Sequence, residues 1–301
     1  MLGGDVVAWR DAYHEGPVLP GSRWRMLDHR GAFLAACGWG DAETIRDDLL
    51  ARDARFVGAL RDDRPIVLWF EHDLYDQLQL IDVLALAGEN GFDPEQLKLI
   101  ELGAFPGRPV FRGLGELNVP ELESLWGERR SVTDEEIVGA QRAWDAVRAS
   151  EPQALDELRG DSPAERPFLP AAIRRLLEEL PDTDGGLSRT ERQLLGLLAD
   201  GPLLTGALFL ASQELEEAPF HGDTWIFRTL SELGGGAAPL VAVTEGMAAI
   251  TDTGRGVLAG DLDRVELLGI DRWVGGTHLV PAATWRWDAA AAALAGPGRY
   301  L

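Results

Sequence analysis

Cysteine and lysine are nearly missing from this chain of 301 residues, which has one of each, Cys37 and Lys98. A lone cysteine excludes an intramolecular disulfide, a thiolate-rich zinc centre and a CxxC redox pair. It fits a reducing compartment, and the expected location is cytoplasmic. Lys98 stands in the strand-like stretch Leu97–Ile100. A Walker-type phosphate lysine is therefore absent, and Schiff-base chemistry is disfavoured. Basic residues are scarce as a class, 28 against 50 acidic, for a formal net charge of −22. A field of that sign repels phosphate backbones and anionic membranes, so nucleic acid is a disfavoured partner. Long apolar runs are lacking too. Ile66–Phe70 is far short of the roughly 20 residues of a spanning helix, and Met1-Leu2-Gly3-Gly4-Asp5 has no signal-peptide pattern. Membrane association is not expected. GxSxG, HExxH, GxGxxG and kinase signatures do not occur, so no motif names a chemistry.

What is present is a hydrophobic fraction of 46%, enough for a substantial core in one large domain or two modest ones. Residues 5–9 read as a buried strand, and 24–36 and 41–60 as helices. Ile66–Phe70 reads as a strand buried on both faces, 74–89 as a helix stopped by Asn90-Gly91, and Leu97–Ile100 as the next strand. This alternation predicts an α/β fold whose N-terminal domain, residues 1–130, is a parallel-sheet, Rossmann-like layer. A helical connecting region is expected over 131–181, with helices at 132–149, 151–159 and 168–180, a Thr133/Glu136 capping box, and a hinge at Ser162-Pro163 and Arg166-Pro167. Pro181–Gly186 reads as a linker. A winged-helix-like α+β domain is expected over 187–301. Its elements are helices at 188–200, 203–215 and 223–233, then short strands at 239–243 and 247–251, then a helix at 252–260. The alanine-rich 289–295 reads as a short helix or a fraying tail.

Trp9-Arg10-Asp11, His14-Glu15-Gly16-Pro17, Trp69–Gln77, Gly113-Leu114-Gly115-Glu116-Leu117, Leu187–Glu191, Ala218-Pro219-Phe220, Gly222-Asp223-Thr224, Gly269–Trp273 and Gly275-Gly276 together form a pattern along nearly the whole chain. It resembles the bacterial family designated domain of unknown function 1835, in its long form. The resemblance implies kinship and no activity. Members begin with an extra strand and an Asn-Gly-Asp-type turn, and the expectation is that this chain lacks that leading segment.

Ligands of open α/β sheets bind outside the carboxyl ends of the strands. Two charged clusters are expected there. The first is Arg10, Asp11, His14 and Glu15, with His14 as base or metal ligand, Glu15 orienting it and Arg10 clamping an anionic group. The plain alternative is a structural corner in which Asp11 caps a turn and Arg10 pairs locally. The second cluster is Glu71, His72, Asp73, Asp76 and Gln77. Ionisable groups after a buried strand must be solvated, paired or bound to something, although Asp73 also suits the N-cap of the following helix. Catalytic candidates are His14, Glu15, Glu71, His72 and Asp73. Substrate-binding candidates are Arg10, Asp11, Asp76, Gln77, Gly113, Gly115 and Glu116. Glu71, Asp73 and His14 are candidate ligands for a divalent metal. A small-molecule site is expected, with hydrolytic or phosphate-ester chemistry.

The rival class is a non-enzymatic regulator or adaptor whose winged-helix-like domain meets a protein. Residues 186–301 hold 8 basic and 14 acidic residues, and Arg228 is the one basic residue of the third helix, a poor match to DNA. His221, Asp223 and His278 read as turn and cap residues. Trp273, Trp285 and Trp287 read as packing or interface aromatics that could serve a protein partner or a homodimer.

Overall fold

A computed structural model describes residues 4–91, 93–160 and 166–297 of the chain. The expected Ser162-Pro163 hinge lies outside them. The fold is mixed α/β with small sheets, divided into two units. Unit 1 is Met1–Ile173 with Gly275–Thr277, and unit 2 is Arg174–Val274 with His278–Leu301. No helix among the described residues is long and apolar enough to cross a membrane.

In unit 1, side chains at the expected positions start the helices. Ser22 accepts from the Arg25 amide at the head of α1 (Arg23–Ala36), and Asp41 from the Thr44 amide at the head of α2 (Ala42–Arg61). The apolar run becomes β1 (Ile66–Glu71), followed by α3 (Leu74–Asn90) and β2 (Leu97–Leu102). Gly91, at φ +74°, ends α3 as Asn90-Gly91 predicts. The two strands are parallel, with Ile66 opposite Leu97 and Glu71 opposite Leu102, so Glu71 lies at the carboxyl edge. A two-residue β3 (Arg130–Ser131) pairs antiparallel with β2, giving the order β1-β2-β3. Between β2 and β3 lie two 3-10 turns, Leu114–Glu116 and Leu125–Glu128, and the short α4 (Val119–Ser124). The Thr133/Glu136 box opens α5 (Asp134–Val147), which packs along α3. The helices α6 (Gln153–Gly160) and α7 (Leu169–Leu177) follow.

Two expectations fail in this unit. Only Leu68 and Phe70 of β1 are fully buried, so the strand is not covered on both faces. The buried element is α3, in which every residue from Gln77 to Ala87 is out of water. Residues 5–9 form no strand. Val6 is 82% exposed, and the segment has no ladder. Side chains just downstream hold the chain instead. Trp9 Nε1 and Tyr13 Oη donate to Asp82 Oδ2 at 3.0 and 2.8 Å, and the Asp11 amide donates to Gln79 Oε1 at 3.3 Å. Asp11 and Arg30 form an ion pair with both side chains fully buried. Asp82 also receives Arg23, which reaches Asp53 of α2 at 2.6 Å, and Arg52 bonds Asp53 and stacks over the Trp9 ring.

Gly275–Thr277 complete unit 1. Gly275 O accepts from the Val18 amide, and the Gly276 amide donates to Val147 O. A Cβ at either glycine would overlap a backbone oxygen, Val147 O or Arg148 O, so this close approach requires Gly275-Gly276.

Unit 2 opens with the expected Ser188/Glu191 capping box on α8 (Arg189–Ala199). Then come β4 (Leu203–Leu204), α9 (Thr205–Gln213), α10 (Asp223–Leu233), β5 (Val241–Thr244) and β6 (Met247–Ile250). Glu245 and Gly246, at φ +51° and +77°, turn the hairpin between β5 and β6. The three strands are antiparallel in the order β4-β6-β5. Leu194, Leu195, Leu198, Ile226, Leu230 and Val241 share one core. The chain continues through α11 (Asp252–Leu258), α12 (Arg264–Leu268), β7 (Arg272–Val274), β8 (Thr277–Leu279), β9 (Arg286–Asp288) and β10 (Ala293–Ala295). The alanine-rich stretch is therefore half of a hairpin. Asp288 Oδ1 accepts from the amides of Ala290 and Ala291, and that turn sends the alanines back along β9. Pro181–Gly186 is a bonded turn inside unit 2, because Asp182 Oδ1 takes the amides of Asp184, Gly186 and Leu187.

Removing one partner of a buried ionic network leaves the others uncompensated. Asp82→Ala strands Trp9, Tyr13 and Arg23, and is expected to cost about 3–5 kcal/mol. The urea midpoint measures it, and a loss under about 1 kcal/mol would show that the network does not hold the segment.

Candidate functional site

The second cluster assembles at the carboxyl edge of β1. Asp73 caps α3 by accepting from the Asp76 amide at 2.9 Å. That places Asp76 in the first helical turn, where its Oδ2 accepts from the Glu71 amide at 2.6 Å. Gln77 is fully buried, and its Nε2 donates to Glu71 O at 2.7 Å and to Glu101 Oε1 at 2.9 Å. The Glu71 carboxyl crosses to the loop after β2, where Oε1 accepts from the Leu114 amide at 2.6 Å. Gly113, at φ +151°, lies directly over this carboxyl, and a Cβ there would overlap it. The expected candidates Glu71, Asp73, Asp76, Gln77 and Gly113 are thus brought together. His72 lies edge-on to the Phe168 ring at 5.8 Å. Gly115 and Glu116 are exposed, and Glu116 accepts from the Arg112 amide at 3.2 Å.

The first cluster is dispersed. Asp11 is the buried partner of Arg30, and Arg10 is exposed. His14 is buried with its ring edge-on to Tyr75 at 5.8 Å, and the carbonyl of Glu15 accepts from Arg30. Among the described residues no group of three or more His, Cys, Asp or Glu could hold a metal ion. Glu71, Asp73 and His14 therefore make no ligand set: Asp73 is turned to its own helix, Glu71 to Leu114, and His14 to Tyr75. The His221, Asp223 and His278 side chains make no triad. His221 is buried beside Phe220, with its imidazole pushed down to about 4 by burial. His278 pairs with Asp271 at 2.7 Å and stacks on Trp273. Trp287 and Arg286 are buried, so they belong to the core of unit 2 and not to an interface.

The electrostatics of the site are set by acids without counter-charge. Burial, then the neighbouring Asp76, push the Glu71 carboxyl up to about 7. Burial takes Asp76 up to about 6, and the Glu71 amide offsets part of that. Asp73 rises well above the ordinary range through burial, then Asp76 and Glu71. His72 is lowered by burial, which favours its neutral form. Among the described residues no arginine or lysine pairs with Glu71, Asp73 or Asp76. Glu101 was not expected. It is the penultimate residue of β2, opposite Phe70, and its carboxyl lies 3.8 Å from Arg130. The signal was available, since in both cases an acid lies at the carboxyl end of a largely apolar strand.

Compared with family models, with curated proteins and with solved structures, the chain matches none.

Between the ordinary carboxyl range and the raised value of about 7, the folded state holds more protons than the unfolded chain. The contribution of Glu71 to stability then falls as pH rises from about 5 to 7, while the lowered His221 imidazole contributes with the opposite sign. The Glu71 share is about 1–2 kcal/mol once solvent screening at a half-exposed group is allowed for. Chemical denaturation at pH 5 and pH 8 is expected to show this share as the difference in slope between wild type and Glu71→Gln. An equal slope in that variant would remove Glu71 as its source.

Proposed function

We propose that the carboxyl edge of β1 and β2 is a small-molecule site at which Glu71 works as a general acid–base group, and that the chain is a cytoplasmic hydrolase. The observation that carries this reading is the Glu71 carboxyl itself. It is half-buried at the end of the parallel pair, fixed by the Leu114 amide under Gly113, and set near neutrality by burial beside Asp76. A proton donor and acceptor is most effective when it titrates near the working pH. Asp76 fixes the backbone of Glu71, and Asp73 fixes the start of α3, so both act as positioning residues. His72, favoured in its neutral form, is the candidate second proton carrier. Phosphate-ester chemistry is the weaker alternative, because a phosphate would meet carboxylates with no paired cation.

The unit β1-α3-β2 supports reading unit 1 as a reduced Rossmann-like layer. The motif resemblance to domain of unknown function family 1835 belongs to the same proposal. The order α8-β4-α9-α10-β5-β6 and the sheet β4-β6-β5 support a winged-helix-like reading of unit 2. Within it, α10 exposes Phe227, and Arg228 is paired with Glu232 at 2.9 Å. An adaptor role toward a protein partner is therefore the second reading, ahead of DNA.

A thermal-shift panel of small metabolites tests the first reading, because a ligand of the native state raises the melting temperature. The expected result is at least one shift of several degrees that disappears in Glu71→Gln, followed by turnover of that compound with a limb near pH 7. No shift that depends on Glu71 would move the assignment to the adaptor reading.

A further inference from the structure

Resting on the small-molecule reading above, we propose that this site recognises a cationic nitrogen group, a protonated amine or a guanidinium, on its ligand. Two independent observations meet here. The first is the inventory of polar atoms. Four donors beside the acids are already committed among them: the Leu114 amide to Glu71, the Glu71 amide to Asp76, the Asp76 amide to Asp73, and Gln77 Nε2 to Glu71 O and Glu101, while Nδ1 of the His72 ring is buried without a hydrogen-bond partner among the described residues. Beside that ring, what faces a ligand is a set of acceptors, the carboxylates of Glu71 and Asp76, two residues partly open to solvent. A group recognised by acceptors alone has to be a donor. Among the described residues no arginine or lysine already supplies the positive charge to Glu71, Asp73 or Asp76.

The second observation is Gln77. Its side chain is fully buried, and its two contacts fix the amide so that nitrogen faces Glu71 O and Glu101. The other end of that amide, Oε1, is buried with no hydrogen-bond partner among the described residues. A buried acceptor left unmet costs on the order of 1–3 kcal/mol, so it marks a place where a donor belongs. It lies in the same constellation as the uncompensated acids. An ammonium or guanidinium carries several N–H donors and one positive charge, which answers the orphaned oxygen and the carboxylates together. An anion answers neither, and a neutral polyol leaves the charge unanswered.

The same chemistry gives the pH dependence. Below about pH 7 the Glu71 carboxyl is neutral and attracts a cation weakly, so binding strengthens from pH 6 to pH 8 with release of a proton. Glu71, Asp76, Asp73 and Glu116 are the charged groups that act on this position from β1, α3 and the loop, and Glu101 of β2 stands beside them with its own charged neighbours Arg166, Arg130 and Glu136.

Isothermal titration calorimetry on the full chain tests the proposal. Agmatine and putrescine are the cationic probes, inorganic phosphate the anionic one and sorbitol the neutral one. The expected result is that a cationic probe binds at pH 8, at least fivefold more weakly at pH 6. Glu71→Gln and Asp76→Asn each weaken it tenfold or more, while Glu43→Gln, on the exposed side of α2, leaves it unchanged. Circular dichroism confirms that the variants are folded. Cation binding equal in wild type and both site variants would overturn the proposal, as would no binding of either amine. Phosphate or sorbitol binding that depends on Glu71 would overturn the cationic class while leaving the small-molecule site in place.

Discussion

A carboxylate taken out of water needs partners, and unit 1 is organised by how that need is met along one helix. In the middle of α3, Asp82 is fully buried and receives Trp9, Tyr13 and Arg23. Those donors come from the N-terminal segment and from α1, and Arg23 extends the network to Asp53 on α2. One acid thus ties the start of the chain and the helical hairpin to the most buried element of the unit. At the head of the same helix, Asp73 and Asp76 have backbone amides and no cation. The contrast separates compensated acids from uncompensated ones: with full compensation the group stays ionised and holds the fold together, and without it the carboxyl is pushed up toward neutrality.

The helices and the parallel pair were legible because their signals are local. Thr133/Glu136 and Ser188/Glu191 announce their capping boxes within four residues, and Asn90-Gly91 announces its stop. The Glu71–Gln77 cluster was legible for the same reason: an apolar strand and a helix cap together fix where its acids sit. Residues 5–9 misled because an apolar pattern looks alike whether or not a neighbouring strand exists to pair with it, and here none does. The alanines at 289–295 misled because helix propensity is a weak prior, and one Asp288 turn outweighs it.

Other parts of the site could not be read in advance. Leu114 and Gly113 contribute backbone, which sequence does not display, and their approach to Glu71 spans some forty residues. The Asp11–Arg30 pair turned a candidate binding residue into a structural one, because burial of both partners is a property of packing and not of spacing. Charged residues after a strand are ambiguous in sequence until their partners are known.

Gly275–Thr277 give unit 1 an unusual schedule during synthesis. Val18 and Val147 meet their partners only in residues that follow Arg174–Val274 of unit 2 in the chain. A nascent chain emerging from the ribosome can fold α1 to α5 early, yet the backbone bonds at Val18 and Val147 stay open to water until residue 277 is outside the exit tunnel. The N-terminal unit is therefore completed only after most of unit 2 has been made, against the usual vectorial order. A chain cut after Ile173 would be left permanently at that unfinished stage.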